Sequence, residues 1–161
     1  MNQASKNQGR KRKVPFLNES ERKEEAMNSS EQKQFKSPDE IRSFEKGKVE
    51  LVNIGDGVVG RLILEPGWRW SKHVKPMAKT EWCEAPHFQY HVSGRLHILM
   101  SDGKEFEAGP GEVTSLPSGH DAWVVGDEPV VLIDWWGAMN YAKEKAAQRE
   151  FSKDIGARLP A

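Results

Sequence analysis

Apolar residues are unevenly spread along this chain. From about residue 49 they come in short runs, VELVNIG, VVGRLILEPG, LHILM, WVVG and VVLIDWW, whereas residues 1 to about 48 hold few aliphatics. Short runs rich in β-branched and aromatic residues, separated by glycine-bearing turns, predict strands. Strands are expected at 48–54, 58–65, 69–75, 86–92, 95–101, 104–107, 112–116, 121–125 and 129–136. Turn signals fall between them: GDG at 55–57, EPG at 65–67, SG at 93–94, SDG at 101–103, GPG at 109–111, PSG at 117–119 and GDEP at 126–129. Asp102-Gly103, between LHILM and KEFE, predicts a hairpin with a type I′ turn. Many short strands without interleaved helices imply an all-β sandwich or barrel.

The flanks read differently. Residues 1–47 form a charged segment rich in Lys, Glu, Asn, Gln and Ser, of which 1 to about 37 cannot bury enough apolar surface to offset ordering entropy. That stretch is expected to be disordered. SPDEIRSFEKG predicts a short helix, with Ser37 as cap, Pro38 at the first position and Glu40 three beyond the cap. Residues 138–154 have high helix propensity and predict a terminal helix packed on the barrel or on a partner. The expected division is therefore 1–47, a barrel at 48–137, and a C-terminal helix and tail at 138–161.

Composition narrows the classes. The 161 residues carry 24 basic and 24 acidic side chains, so no global pull toward nucleic acid is expected. The basic run Arg10-Lys11-Arg12-Lys13 reads as a solvated tail, with acidic residues close behind it. Cys83 is the only cysteine, which excludes an intrachain disulfide and a cysteine pair for structural zinc. No apolar run reaches eighteen residues and no apolar leader opens the chain, so neither a membrane span nor secretion is expected. These features together suggest a cytoplasmic protein.

All five histidines, His73, His87, His91, His97 and His120, lie within one region of about fifty residues. The residues around them resemble the cupin superfamily. Gly67 is followed by five residues and then His73; Lys75 takes the family's second-histidine position, and the family glutamate falls on His87, counted back from Gly94. Gly111, Pro117 and Gly119 match the second motif, with Ala122 and Gly126 where its histidine and asparagine stand. The resemblance covers about residues 58–136. It implies a single jelly-roll barrel, a homodimer, a His-coordinated divalent ion (Fe, Ni, Zn or Cu), and dioxygenase, isomerase, cyclase or lyase chemistry on a small organic molecule. The alternatives are a non-catalytic ligand-binding or sensing module, and a barrel that has lost its ion.

Strand alternation refines the ligand set. Positions two apart share a face, so His87, Gln89 and His91 point the same way, and His120 shares a face with Ala122. His73, His87, His91 and His120 are the candidate imidazole ligands, with Gln89 as a further oxygen donor. The face of His97 is left unassigned. Lys75 would either hold an anionic group or stand in solvent. Trp68, Trp70, Trp82 and Trp123 would either line a pocket for an apolar or aromatic ligand or pack the barrel and a dimer interface. Glu81 and Glu84 lie in the long spacer, as acid–base candidates or as solvated loop residues.

Overall fold

The computed structural model describes residues 18–142. Contacts divide the chain into Met1–Ser30 and Glu31–Ala161. In the first unit, α1 (Glu19–Asn28) lies in the stretch expected to be disordered. A capping box forms it: the Asn18 side chain accepts the Glu21 N–H, and the Glu21 carboxylate accepts the Asn18 N–H. Two of the amides orphaned at a helix start are thereby satisfied.

The second unit is an all-β jelly roll. Its strands are β1 (Glu40–Phe44), β2 (Gly47–Ile54), β3 (Gly57–Leu64), β4 (His87–Ser93), β5 (Arg95–Met100), β6 (Glu105–Ala108), β7 (Val113–Leu116), β8 (His120–Val125) and β9 (Val130–Asp134). One sheet runs β1-β2-β3-β9-β4-β7 and the other β6-β5-β8, every ladder antiparallel. The segment before Trp70 extends the smaller sheet by a single bridge, Arg69 to Trp123. Leu62, Leu64, Leu96, Ile98, Leu116 and Leu132 fill the space between the sheets, each 3% exposed or less.

Eight of the nine expected strands are present. The ninth, at 69–75, is replaced by two one-turn helices, α2 (Trp70–His73) and α3 (Lys75–Ala78). Asp121 on β8 explains the departure: its carboxylate accepts the Ser71 N–H at 3.0 Å and the Arg69 Nε–H at 2.7 Å. That carboxylate caps the helix start and turns the chain away from the sheet. Pro76, near the start of α3, suits a first turn that has no amide to satisfy.

The helix expected from SPDEIRSFEKG is instead β1, paired residue for residue with β2 from Glu40↔Leu51 to Phe44↔Gly47. A ladder to a buried neighbour outweighs a local capping pattern here. The expected C-terminal helix is a single 3-10 turn at Ala138–Asn140, after which Tyr141 returns to extended backbone. The remainder of that prediction lies outside the described residues. The β5–β6 hairpin forms as expected, but Met100 N–H reaches Lys104 across a three-residue loop in which Gly103 alone has positive φ. A type I′ turn needs positive φ at two positions, so this is the longer turn type.

Gly94 closes the β4–β5 turn at φ 68°, where a side chain would meet the Pro129 carbonyl. This motif glycine is therefore set both by conformation and by space.

Candidate metal centre

β4 alternates as predicted, with His87, Gln89 and His91 buried and Phe88, Tyr90 and Val92 exposed. The three inward residues have different surroundings. His87 and Gln89 line an interior cavity of about 20 Å³, together with Trp68, Trp70, His120 and Tyr141. His91 does not line it; its Nε2 lies 3.0 Å from the Thr114 hydroxyl.

His120 opens β8 and approaches His87 with ring centroids 5.3 Å apart. Cys83 joins them through the backbone. Its N–H donates to the His120 carbonyl at 2.9 Å, and its own carbonyl accepts the Gly119 N–H at 2.8 Å. This bridge outside the named strands places the thiol beside both rings. Ligand atoms of Cys83, His87 and His120 all lie within 4.8 Å of one another, and all three residues are buried.

The outer nitrogens of both imidazoles are occupied. His87 Nδ1 lies 2.5 Å from the Asp134 carboxylate, and His120 Nδ1 lies 2.9 Å from the Pro117 carbonyl. Each acceptor places the proton on Nδ1 and leaves Nε2 with its lone pair. His87 Nε2 faces the Cys83 sulfur at 3.8 Å. Imidazoles that ligate metals are oriented in this way, by a carboxylate or carbonyl behind the ring.

Asp134 is itself held firmly. Its other oxygen accepts the N–H groups of Trp136 at 3.1 Å and Gly137 at 3.2 Å. Burial pushes this carboxyl up, but the hydrogen bond from His87, attraction to that ring when protonated, and the Trp136 and Gly137 N–H groups outweigh it and hold it below its ordinary value. Gly137 packs against the His87 ring and the Pro86 carbonyl so closely that a β-carbon there would overlap both.

Burial, followed by repulsion from a protonated His87, pushes His120 down to about 4. Burial also lowers His91. At neutral pH both are unprotonated, the form in which imidazole ligates. Burial pushes the free Cys83 thiol up to about 12. A thiol in that state is a poor nucleophile, whereas coordination to a dication would deprotonate it outright.

The donor set fits a transition ion. One thiolate and two neutral imidazoles suit zinc or copper, and the set leaves a coordination position open. Gln89 Oε1 is buried without a hydrogen-bond partner, and its side chain lines the same cavity.

The remaining candidates stand elsewhere. On α2, His73 Nδ1 accepts the Arg69 N–H at 2.9 Å, and the residue is outside the Cys83–His87–His120 group. Its expected inward strand position does not exist, because the chain turns into α2 there. Lys75 begins α3, half-buried, and lines neither described cavity. Trp123 is stacked between His97, at 4.1 Å, and the Arg69 guanidinium, at 4.4 Å. Trp82 is half-buried and lines neither cavity. Trp70 alone of the expected pocket tryptophans lines both.

The second cavity is a cleft of about 310 Å³ whose lining includes Trp70, Thr80, Cys83, Glu84, Asn140 and Tyr141. Its described lining holds no Lys, Arg or His. The unanticipated site residues are Cys83, Asp134 and Gly137. A lone cysteine, an aspartate ending a strand and a glycine beyond it form no spacing pattern that sequence reading could use.

No protein-family model matches the chain, and no curated protein does. Solved structures resemble it. An oxalate decarboxylase variant from Bacillus subtilis aligns at a TM-score of 0.45 with 26% identity, over 63% of this chain and 28% of that one. Another oxalate decarboxylase structure aligns at 0.44 with 28% identity, over 65% and 28%. A protein of unknown function from an Acinetobacter species aligns at 0.44 with 12% identity, over 60% and 89%. The chain spans little more than a quarter of the oxalate decarboxylase chains. Overlaps this partial carry no chemistry across, and the site is read from its own residues.

Proposed function

We propose that this is a metal-binding cupin-type protein that holds one divalent transition ion on Cys83, His87 and His120 and acts on a small organic molecule. One observation carries the reading: three buried ligand atoms converge within 4.8 Å, and both imidazoles have their outer nitrogens bonded from behind. When bound, such an ion supplies a Lewis acid and an open coordination position. Asp134 holds the His87 proton on Nδ1, and Pro117 does the same for His120. Trp70 and Tyr141 form part of the cavity wall beside the two imidazoles.

The organic molecule would occupy the 310 Å³ cleft, which shares Trp70, Cys83 and Tyr141 with the metal site's surroundings. A volume of this order suits a small ligand. With no cationic side chain in the described lining, a neutral or cationic molecule with an apolar body is favoured over an anion.

Cys83, His87 and Asp134 also follow the thiol–imidazole–carboxylate order of a nucleophilic triad. The raised thiol argues against that use, because a buried neutral thiol attacks slowly.

Metal analysis of purified protein by mass spectrometry tests the reading. Near-stoichiometric zinc, copper, iron or nickel is expected, and a His87→Ala/His120→Ala variant should lose it. A wild-type protein that stays metal-free after supply with each ion would sink the proposal.

A further inference from the structure

The small interior cavity carries more information than its volume. Among the described residues, three buried polar side-chain atoms lack a hydrogen-bond partner: Trp68 Nε1, Gln89 Oε1 and His91 Nδ1. Two of their side chains, Trp68 and Gln89, line the cavity that His87 and His120 also line. Trp68 is 2% exposed and Gln89 3%. A buried polar atom left unpaired keeps the full cost of losing its water. The cavity, at about 20 Å³, has room for one water-sized occupant.

The two atoms differ in kind. An indole N–H only donates, and an amide oxygen only accepts. The occupant that satisfies both must accept from Trp68 and donate to Gln89. Water, hydroxide and the hydroxyl of an alcohol do both. A carboxylate, dioxygen or a monatomic anion cannot donate and would face the Gln89 lone pairs.

We infer that Trp68 and Gln89 are positioning residues for a hydroxyl-bearing ligand at the ion's open position, and that they select against acceptor-only ligands. The inference rests on the metal reading above. It assigns Gln89 a partner role rather than the ligand role expected from sequence. It also gives a purpose to Trp68, whose buried N–H the barrel core does not need.

Cobalt(II)-substituted protein tests it through the visible absorption of the ion, with fluoride as an acceptor-only probe of the size the cavity admits. Trp68→Phe removes the donor and keeps most of the ring, so fluoride should bind about fivefold more weakly. Gln89→Leu removes the opposing acceptor, so fluoride should bind about fivefold more tightly. A merely structural role would not move the two affinities in opposite directions. Gln89→Met serves as a second apolar replacement should the leucine variant fail to fold, and the two glutamine replacements stand alone should Trp68→Phe fail.

Cobalt content separates the two ideas. Full cobalt in wild type and in every variant, with fluoride affinities moving apart, supports the inference. Loss of cobalt from folded Gln89→Leu and Gln89→Met makes Gln89 a ligand and overturns the inference while keeping the metal. Fluoride affinities that stay unchanged or move together also overturn it. Wild-type protein that takes up no cobalt overturns the metal reading and this inference with it.

Discussion

At the scale of single residues, Asp134 decides which nitrogen of His87 is available. In an Asp134→Asn variant the amide offers its own N–H to Nδ1, which moves the ring proton onto Nε2 and blocks ligation. Metal affinity should fall about 10–100-fold, as measured by competition with a chelator. Retention of full affinity would show that the His87–Asp134 contact at 2.5 Å does not orient the ring. The histidines also set a pH dependence. His120 is pushed down to about 4, below its ordinary 6.5. The unfolded chain therefore binds the proton more readily than the folded one between those values. Stability contributed by neutral His120 is complete above about 6.5 and is lost as pH falls toward about 4. The loss should be roughly 3 kcal/mol, with buried His91 moving the same way. Urea unfolding of metal-free protein at pH 7 and pH 4.5 checks this; an unchanged midpoint would contradict it.

At the scale of elements, Arg42 on β1 joins the start of the sheet to the segment after β9. Its guanidinium donates to the carbonyls of Ala138, Met139 and Tyr141 at 3.3, 3.0 and 2.7 Å, and pairs with Glu40. Arg42→Ala should destabilise the protein by about 2 kcal/mol and speed amide exchange at Gly137–Tyr141. Exchange rates matching wild type would show that packing alone holds that segment. The same element marks a boundary of sequence reading. Eight strands were legible because apolar runs and glycine turns are local signals. β1 was not, because its pairing with β2 is a tertiary fact and Ser37-Pro38 is a plausible local helix start. The run at 69–75 carries a strand-like pattern, yet a carboxylate from distant Asp121 draws it into α2. His87 and His120 were legible as neighbours through the cupin resemblance, which puts family ligand positions at 87 and 122, and through alternation, which turns His120 to the face of Ala122. Cys83 and Asp134 were not, because what joins them to the site is a backbone bridge and a hydrogen bond between distant parts of the chain.

At the scale of the whole molecule, the outer face of the larger sheet presents Phe88, Tyr90, Val92 and Val113, each at least 36% exposed. Trp135 and Trp136 pack against Phe88 at its margin, with ring centroids 5.8 and 5.2 Å away. Exposed apolar side chains gathered on one face in this way favour an interacting partner. We propose that a second copy of the chain covers it, in keeping with the homodimer that the cupin resemblance implies. Sedimentation should give twice the chain mass, and Tyr90→Glu/Val113→Glu should shift it to the monomer without removing the metal. A monomeric wild type at micromolar concentration would refute the pairing. The proposed ligands Cys83, His87 and His120, with Asp134 behind His87, also bear on how the barrel stays closed. Asp134 and His87 belong to one sheet and His120 to the other, while Cys83 hangs from the loop between them. A lone thiol denies this barrel any covalent fastening of its own. An ion shared by those three ligands would rivet one wall to the other, so stripping it should loosen the seam between the sheets long before either sheet comes apart.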